Sequence, residues 1–562
     1  MHLVLIETSG NQDYIFASNR MRENVGASEL TYRVGTEYVL RAVAEAGGPQ
    51  LWQDDAPPKK LREALQDKGQ NPALETGRHK IEVVLAASGK GLVAVADEET
   101  GRAIVAAVTS QALREAPGLD VRGVVSRGFD LASRPMHDVV REVHQQLESL
   151  RARLPGPSQR FLRLPVVDQC VTSGLPASVW EKPASDQPLE ACSRVSRSKR
   201  QMAENGLRRM RDATASVMAR LDANLPYSAD KLEREMGCEW LAVVHADGNG
   251  LGNVFLQFHK YVRPSFEQGA AAHNRAYLDM LRRFSLALDE CTEAAFCKAL
   301  RHMHARRGRG RNGGRHASRV LPILPLVLGG DDLTVLCDGQ QAMAFTKRFL
   351  EAFASEARRS VIHKTLTQGG DRGLTASAGI AIVKPHFPFF AAYELSAALL
   401  QSAKRAKPRP AIDWHVVLDA SSPDLERTRS RLRVDGGQTC LTARPYLVDE
   451  NGTAAADGGF RCLAELEKKI RVIRGDDKSR IPRSVLHDLR QALFLGHAQA
   501  DARLALMRPR HALLDKLAAD GTNSSSLFYG TSGGQGASAG QPARYTCFLD
   551  ALELASFWEV SP

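Results

Sequence analysis

The sequence contains no apolar run near the roughly 18 residues that read as a membrane span, so no membrane association is expected. No secretory leader is expected either. The N-terminus has no basic flank, and its apolar run Leu3-Val4-Leu5-Ile6 stops at Glu7, so the expected location is cytoplasmic. Cysteine is sparse and unpaired. Nine residues lie between Cys170 and Cys547, an odd number without a Cys-x-x-Cys pair, which argues against a zinc ribbon and a disulfide framework. Nor is there a bias towards disorder, since 43% hydrophobic and 25% charged residues are globular values. At roughly 100–200 residues per domain, a chain of 562 residues is expected to hold three or four.

The net charge of +11 is unevenly spread. Arg306, Arg307, Arg309, Arg311, Arg315 and Arg319 share one Gly-rich stretch. An arginine loop of this kind neutralises phosphates and gives salt-dependent affinity for RNA or DNA. A solvated insertion without a role is equally compatible with the composition.

Hydrophobic patterning gives two units of one element order. The first has a strand over residues 2–7 and helical spacing from Glu29 to Ala46. The strands 81–87 and 91–96 follow, joined at Ser88-Gly89-Lys90, and a helix over 100–116 and a strand over 119–125 close the unit. The second has a strand from Trp240 to Ala246, a helix from Phe266 to Ala305, a hairpin from Ile323 to Leu336, a helix from Gln340 to Arg359 and a strand from Thr375 to Val383. Both read β-α-β-β-α-β, the ferredoxin-like or palm order. From Glu7 to Ser88 is 88 − 7 = 81 positions and from Asp247 to Gly329 is 329 − 247 = 82, a spacing that favours tandem duplication. The expected fold is therefore α/β (α+β), with two ferredoxin-like palms of which the first is degenerate. The boundaries are 1–135 for the first palm, 136–235 for a mainly helical inter-palm region, 236–425 for the catalytic palm and 426–562 for a helical C-terminal domain. Helix is expected across Arg483–Met507, and a Gly/Ser-rich loop over Gly530–Gly540.

Chemistry points to three carboxylates. Asp247 ends a buried strand where the turn Gly248-Asn249-Gly250 begins, and Asp331 and Asp332 follow Gly329-Gly330 in a hairpin between apolar strands. In a palm these strands are neighbours, so the three acids converge on one edge. Hard oxygen ligands suit Mg2+ or Mn2+, and two such ions clamp the attacking and leaving oxygens of a phosphoryl displacement. The glycines let backbone N–H groups approach phosphate. Asp and Gly are also ordinary hairpin residues, and a plain turn is the competing reading.

The segments Ala246-Asp247-Gly248-Asn249-Gly250, Gly329-Gly330-Asp331-Asp332, Ser377-Ala378-Gly379-Ile380-Ala381 and Ala403-Lys404-Arg405-Ala406-Lys407 resemble the second palm of the large polymerase-like subunit of type III CRISPR–Cas effector complexes. That family is related to GGDEF-type nucleotide cyclases. Residues 10–16, 26–30 and 170–177 resemble its opening and inter-palm stretches, so the resemblance covers roughly residues 1–420. It implies that Asp247 and Asp331 bind the metals, that Asp332 is a further ligand or a base, and that Lys404 reaches the triphosphate of ATP or another NTP. Ser377 and Gly379 read as strand packing. The sequence opens on the first palm strand, so no HD nuclease domain is expected, and it departs from the family by lacking the cysteine-rich zinc module and by carrying Asn249 where many relatives have Asp. His137-Asp138 and His487-Asp488 are dipeptides without further ligands. The first unit has no carboxylate in its turn and only Glu7 at its strand end, while Lys90 would meet a phosphate if the palms pair face to face.

The expected function is a nucleotidyltransferase that joins NTPs through 3′–5′ bonds, releases pyrophosphate and makes a cyclic nucleotide signal. The alternative is an RNA-guided effector scaffold and RNA sensor, with RNA and CRISPR subunits as partners in a dimer or larger complex. A template-directed polymerase ranks last, without obvious fingers or thumb.

Overall fold

Strand β1 (His2–Ser9) is buried on both faces, with Leu3 and Leu5 in one apolar cluster and Val4 and Ile6 in another. This is why its sequence is continuously apolar instead of alternating. The structure, a computed structural model, describes residues 1–182, 188–226, 232, 237–262, 269–307, 319–368, 373–418, 424–448, 461–475, 480–519, 526–530 and 544–558.

In the first unit β1 is followed by helices α1 (Met21–Arg33) and α2 (Pro58–Gln66). Next come β2 (Ile81–Ala87) and β3 (Lys90–Val95), then α3 (Glu98–Glu115) and β4 (Asp120–Val125). The strands hydrogen-bond in the order β2-β3-β1-β4, all antiparallel. Helix α4 (Met136–Arg153), the short hairpin β5 (Val179–Glu181) and β6 (Glu190–Cys192), and α5 (Arg194–Leu221) lead to the second unit.

There β7 (Leu241–Gly248) is followed by α6 (Gly269–Leu300), the two-residue strands β8 (Arg306–Arg307) and β9 (Arg319–Val320), and the hairpin β10 (Ile323–Gly329) and β11 (Asp332–Asp338). Helix α7 (Ala342–Arg359), β12 (Ala376–Val383), α8 (Phe389–Ala403) and β13 (Ala411–Val416) complete it. The order β10-β11-β7-β12 repeats that of the first sheet strand for strand. Like β1, β7 sends Ala242, Val244 and Ala246 into one cluster and Leu241 and Val243 into the other. Both clusters therefore draw on both sheets, and α6 contributes to each.

The structure refines several expectations. Among the described residues of 136–235 are the helices α4 and α5, a short 3-10 helix at Pro157–Arg160 and the hairpin β5–β6. The C-terminal part adds to its helices a small sheet of β14 (Arg433–Val434), β15 (Thr439–Cys440), β18 (Tyr529–Gly530) and β19 (Arg544–Tyr545). Strands β16 (Tyr446–Leu447) and β17 (Arg461–Cys462) join β13 and extend the second sheet to seven strands. Two-residue strands carry no period to read. The expected helix 483–507 is two, α10 (Arg483–Phe494) and α11 (His497–Met507), after α9 (Leu463–Arg474) and before α12 (Phe548–Leu554). The break falls at Gly496, whose φ of 111° lies outside helical space. The arginine stretch begins and ends in the ribbon β8–β9, whereas residues 308–318 lie outside the described residues, as do 531–540 of the Gly/Ser-rich stretch. Among the described residues no helix is long and apolar enough to cross a membrane.

Candidate active site

The end of β7 and the turn between β10 and β11 meet at one edge of the second sheet. Register pairs Leu333 with Ala246, so the next step sets Asp332 beside Asp247, and on the other side Ser377 of β12 pairs with Asp247. The turn itself is tight. Gly329 pairs with Asp332, and Gly330 takes a left-handed φ of 59° that favours glycine. Gly248 carries no side chain where a Cβ would stand 2.9 Å from Asp331 Oδ2, and this absence lets the two turns touch.

Asp247 and Asp331 are thereby brought within hydrogen-bonding reach. Burial, the Asp247 charge and Asp332 together push the Asp331 carboxyl well above its ordinary value. Lys404, directly after α8, forms an ion pair with Asp247 Oδ2, and its side chain is mostly buried. Asp332 turns instead towards β7, with Oδ1 3.2 Å from His245 Nε2, a diagonal cross-strand neighbour. The His245 ring stacks on Tyr393 of α8 at 5.3 Å, and Tyr393 stacks on Phe16 of the first unit at 3.7 Å. The first unit thus reaches the edge of the second.

The remaining expected residues divide by what their polar atoms already do. Asn249 donates from Nδ2 to Thr375 Oγ1 and to the Arg409 carbonyl, accepts from Ser377 Oγ, and gives its N–H to the Thr375 carbonyl. It builds the turn, with both ends of its amide engaged within the chain. The Gly330 N–H donates to Asp289 Oδ1, so it too is engaged within the chain. Gly250 has a left-handed φ of 77° and opens a short helix. Gly379 is packing, since a Cβ there would lie 2.1 Å from the Ser396 carbonyl oxygen of α8. Lys90 has Nζ 3.0 Å from His144 Nε2 and 4.0 Å from Glu7 Oε2, and burial pushes its pKa down. His137 stacks on His259 instead of joining a ligand set.

The donor set can be tested against a divalent ion. Among the described residues no group of three His, Cys, Asp or Glu side chains forms a ready cage. Two adjacent carboxylates whose negative charges disfavour one another until a cation sits between them are what Mg2+ uses when substrate phosphates and water complete its shell. Asp247 and Asp331 fit such an ion.

Sequence reasoning missed His245, Tyr393, Asp289, Thr292 and Arg62. Only His245 carried a signal, as the one polar residue inside the apolar run Leu241–Ala246.

Fold and edge together define a class, the ferredoxin-like palm with carboxylates at the end of its first strand and in its central hairpin. Residues 240–413 match the family model of Cas10/Cmr2, second palm domain, and the chain carries a Cas10-like palm there. Among solved structures, the apo Csm1-Csm4 cassette is similar over 92% of this chain and 65% of its own, at 14% identity and a TM-score of 0.48. The Csm1-Csm4 cassette in complex with AMPPNP covers 92% and 64%, at 14% identity and 0.46. The cassette in complex with cA4 covers 92% and 66%, at 13% identity and 0.42. The chain spans 64–66% of the length of these three solved chains. No curated protein matches it.

Proposed function

We propose that the chain is a palm-bearing subunit of a type III CRISPR effector, and that its second palm joins nucleoside triphosphates, ATP by family likeness, into a cyclic oligonucleotide. The observation that supports this is the Asp247–Asp331 pair at the edge of a Cas10-like palm, with Lys404 beside it.

Asp247 and Asp331 would hold the divalent ions, Mg2+ or Mn2+, which lower the barrier by polarising the 3′-hydroxyl and neutralising the departing pyrophosphate. Asp332, close to the same edge but not in the pair, serves as a further ligand or accepts the 3′-hydroxyl proton. Lys404 binds the triphosphate, and the turn at Gly250, where a Cβ would meet nothing within 4 Å, gives phosphate oxygens room against the backbone. Catalysis on this reading is positioning and electrostatics.

The test is incubation with each NTP and Mg2+, with product mass spectrometry, for the wild type and for Asp247→Asn, Asp331→Asn and Asp332→Asn. Cyclic products from the wild type and none from Asp331→Asn are expected. Full turnover by an Asp331→Asn, Asp332→Asn double variant would remove the assignment. A wild type that is silent with guide and target RNA and partner subunits present, and that Mg2+ does not stabilise, would make the palm a scaffold.

A further inference from the structure

The turn that carries Asp331 is gripped from outside its own sheet. Asp289 and Thr292 lie three residues apart on α6 and so share one helix face. Asp289 Oδ1 accepts the Gly330 N–H at 3.1 Å, and the Thr292 hydroxyl reaches the Gly330 carbonyl oxygen. Both polar groups of one turn residue are therefore held by one helix. Thr292 is fully buried, and among the described residues its single proton has the Leu288 carbonyl as its one other acceptor. The second carboxylate oxygen of Asp289 accepts from Arg62 Nη1 at 2.6 Å. Arg62 comes from α2 in the first unit, is itself buried, and donates from Nη2 to Glu293 at 2.9 Å. A chain of bonds thus runs from the first unit through Asp289 to the peptide next to Asp331.

We infer that Asp289 and Thr292 are positioning residues that aim the Asp331 carboxylate, and that Arg62 sets Asp289 from the first unit. The inference rests on the proposed role of the palm edge. A left-handed turn between two strands has two peptide groups that are free to rotate, and the direction of Asp331 follows the Gly330 peptide. The Gly330 N–H belongs to the peptide that joins residues 329 and 330 and its C=O to the peptide that joins 330 and 331, so one bond to each pins both planes, whereas either bond alone leaves the other peptide free to tip. The first unit, without carboxylates in its own turn, then has a part to play at the catalytic edge as the anchor of this grip.

The experiment compares Thr292→Val, Thr292→Ser, Asp289→Ala and Arg62→Met in the full chain. Hydrogen exchange by mass spectrometry over residues 327–336 reads the grip without reference to catalysis. Faster exchange at the turn is expected in Asp289→Ala and Thr292→Val, with Thr292→Ser close to wild type. Kinetics read the aim: kcat should fall by about tenfold or more, with KM for NTP little changed, because small misplacements at a reacting centre are costly. Mn2+ affinity followed by EPR should weaken in the same variants, and Thr292→Ser should restore both. Arg62→Met should give a smaller fall of the same kind. Unchanged exchange in Asp289→Ala and Thr292→Val would overturn the grip. Altered exchange with wild-type kcat and Mn2+ affinity would overturn the positioning role. A wild type that binds no Mn2+ and turns over no NTP would overturn the reading of the edge, and the positioning role with it, while exchange would still decide the grip.

Discussion

Gly248→Ala probes the contact between the two turns of the candidate site with the smallest available change. The new Cβ would stand 2.5 Å from Leu251 Cδ1, 2.9 Å from Asp331 Oδ2 and 3.1 Å from Asp331 Cβ. Backbone strain is not involved, since φ at 248 is not positive. The Leu251 methyl is the far end of a flexible side chain and can swing away. Asp331 has less freedom, on a turn held by Asp289 and Thr292. Ordinary contact begins at 3.4 Å, so the carboxylate must retreat by about 0.5 Å. Overpacking costs roughly 1–3 kcal/mol, and a turn at a sheet edge belongs at the lower end, about 1 kcal/mol. That corresponds to a fall in Tm of roughly 2–4 °C for a domain of this size. A displacement on the order of 1 Å at a reacting centre costs on the order of 10²-fold, so half of it should cost about tenfold in kcat. Gly329→Ala is the internal control, because its Cβ would meet only Asp289 Oδ1 at 3.5 Å and Ser88 Cβ at 4.0 Å. NTP consumption and a circular-dichroism melt on both variants decide the matter. Gly248→Ala with wild-type kcat and Tm, or Gly329→Ala as damaged as Gly248→Ala, would refute the reasoning.

Two further outcomes follow from buried charge. The raised Asp331 carboxyl keeps its proton in the folded protein above the pH at which the unfolded chain loses it, so stability falls as pH rises from about 4 through the folded value. Asp331→Asn should therefore gain thermal stability over wild type as pH is raised from 4 to 8 without metal, and a difference in Tm that stays flat or reverses would contradict this. At the C-terminus, Asp550 is fully buried and accepts from Thr442, Tyr446 and the Ala443 N–H, and it pairs with the buried Arg444 at 3.0 Å. Asp550→Ala leaves that guanidinium with Glu553 as its remaining acidic partner and should cost roughly 3–5 kcal/mol in denaturant unfolding, where a loss below about 1 kcal/mol would refute the burial argument.

The sequence by itself determined the two palms. Long apolar strands at matching intervals, punctuated by Ser88-Gly89 and Gly329-Gly330, leave little choice of element order, and strand order follows from chain connectivity once both units read β-α-β-β-α-β. Asp247, Asp331 and Asp332 were legible too, because carboxylates at strand ends among glycines stand out from apolar surroundings. Which of them approach one another was not legible. Pairing Asp331 with Asp247, and turning Asp332 to His245, depends on a left-handed Gly330 and on the space that Gly248 leaves, and neither has a linear signature. The same holds for Asn249, whose amide looks available in the sequence and is taken up by Thr375, Ser377 and Arg409 from strands far along the chain. Arg62 and Asp289 are separated by more than two hundred positions and sit on helices whose charges read as ordinary surface patterning. Only the packing of α2 against α6 brings them together. Local pattern sets which elements form, because it acts through neighbouring residues, whereas partners for buried polar atoms are chosen by whichever distant element happens to cover them.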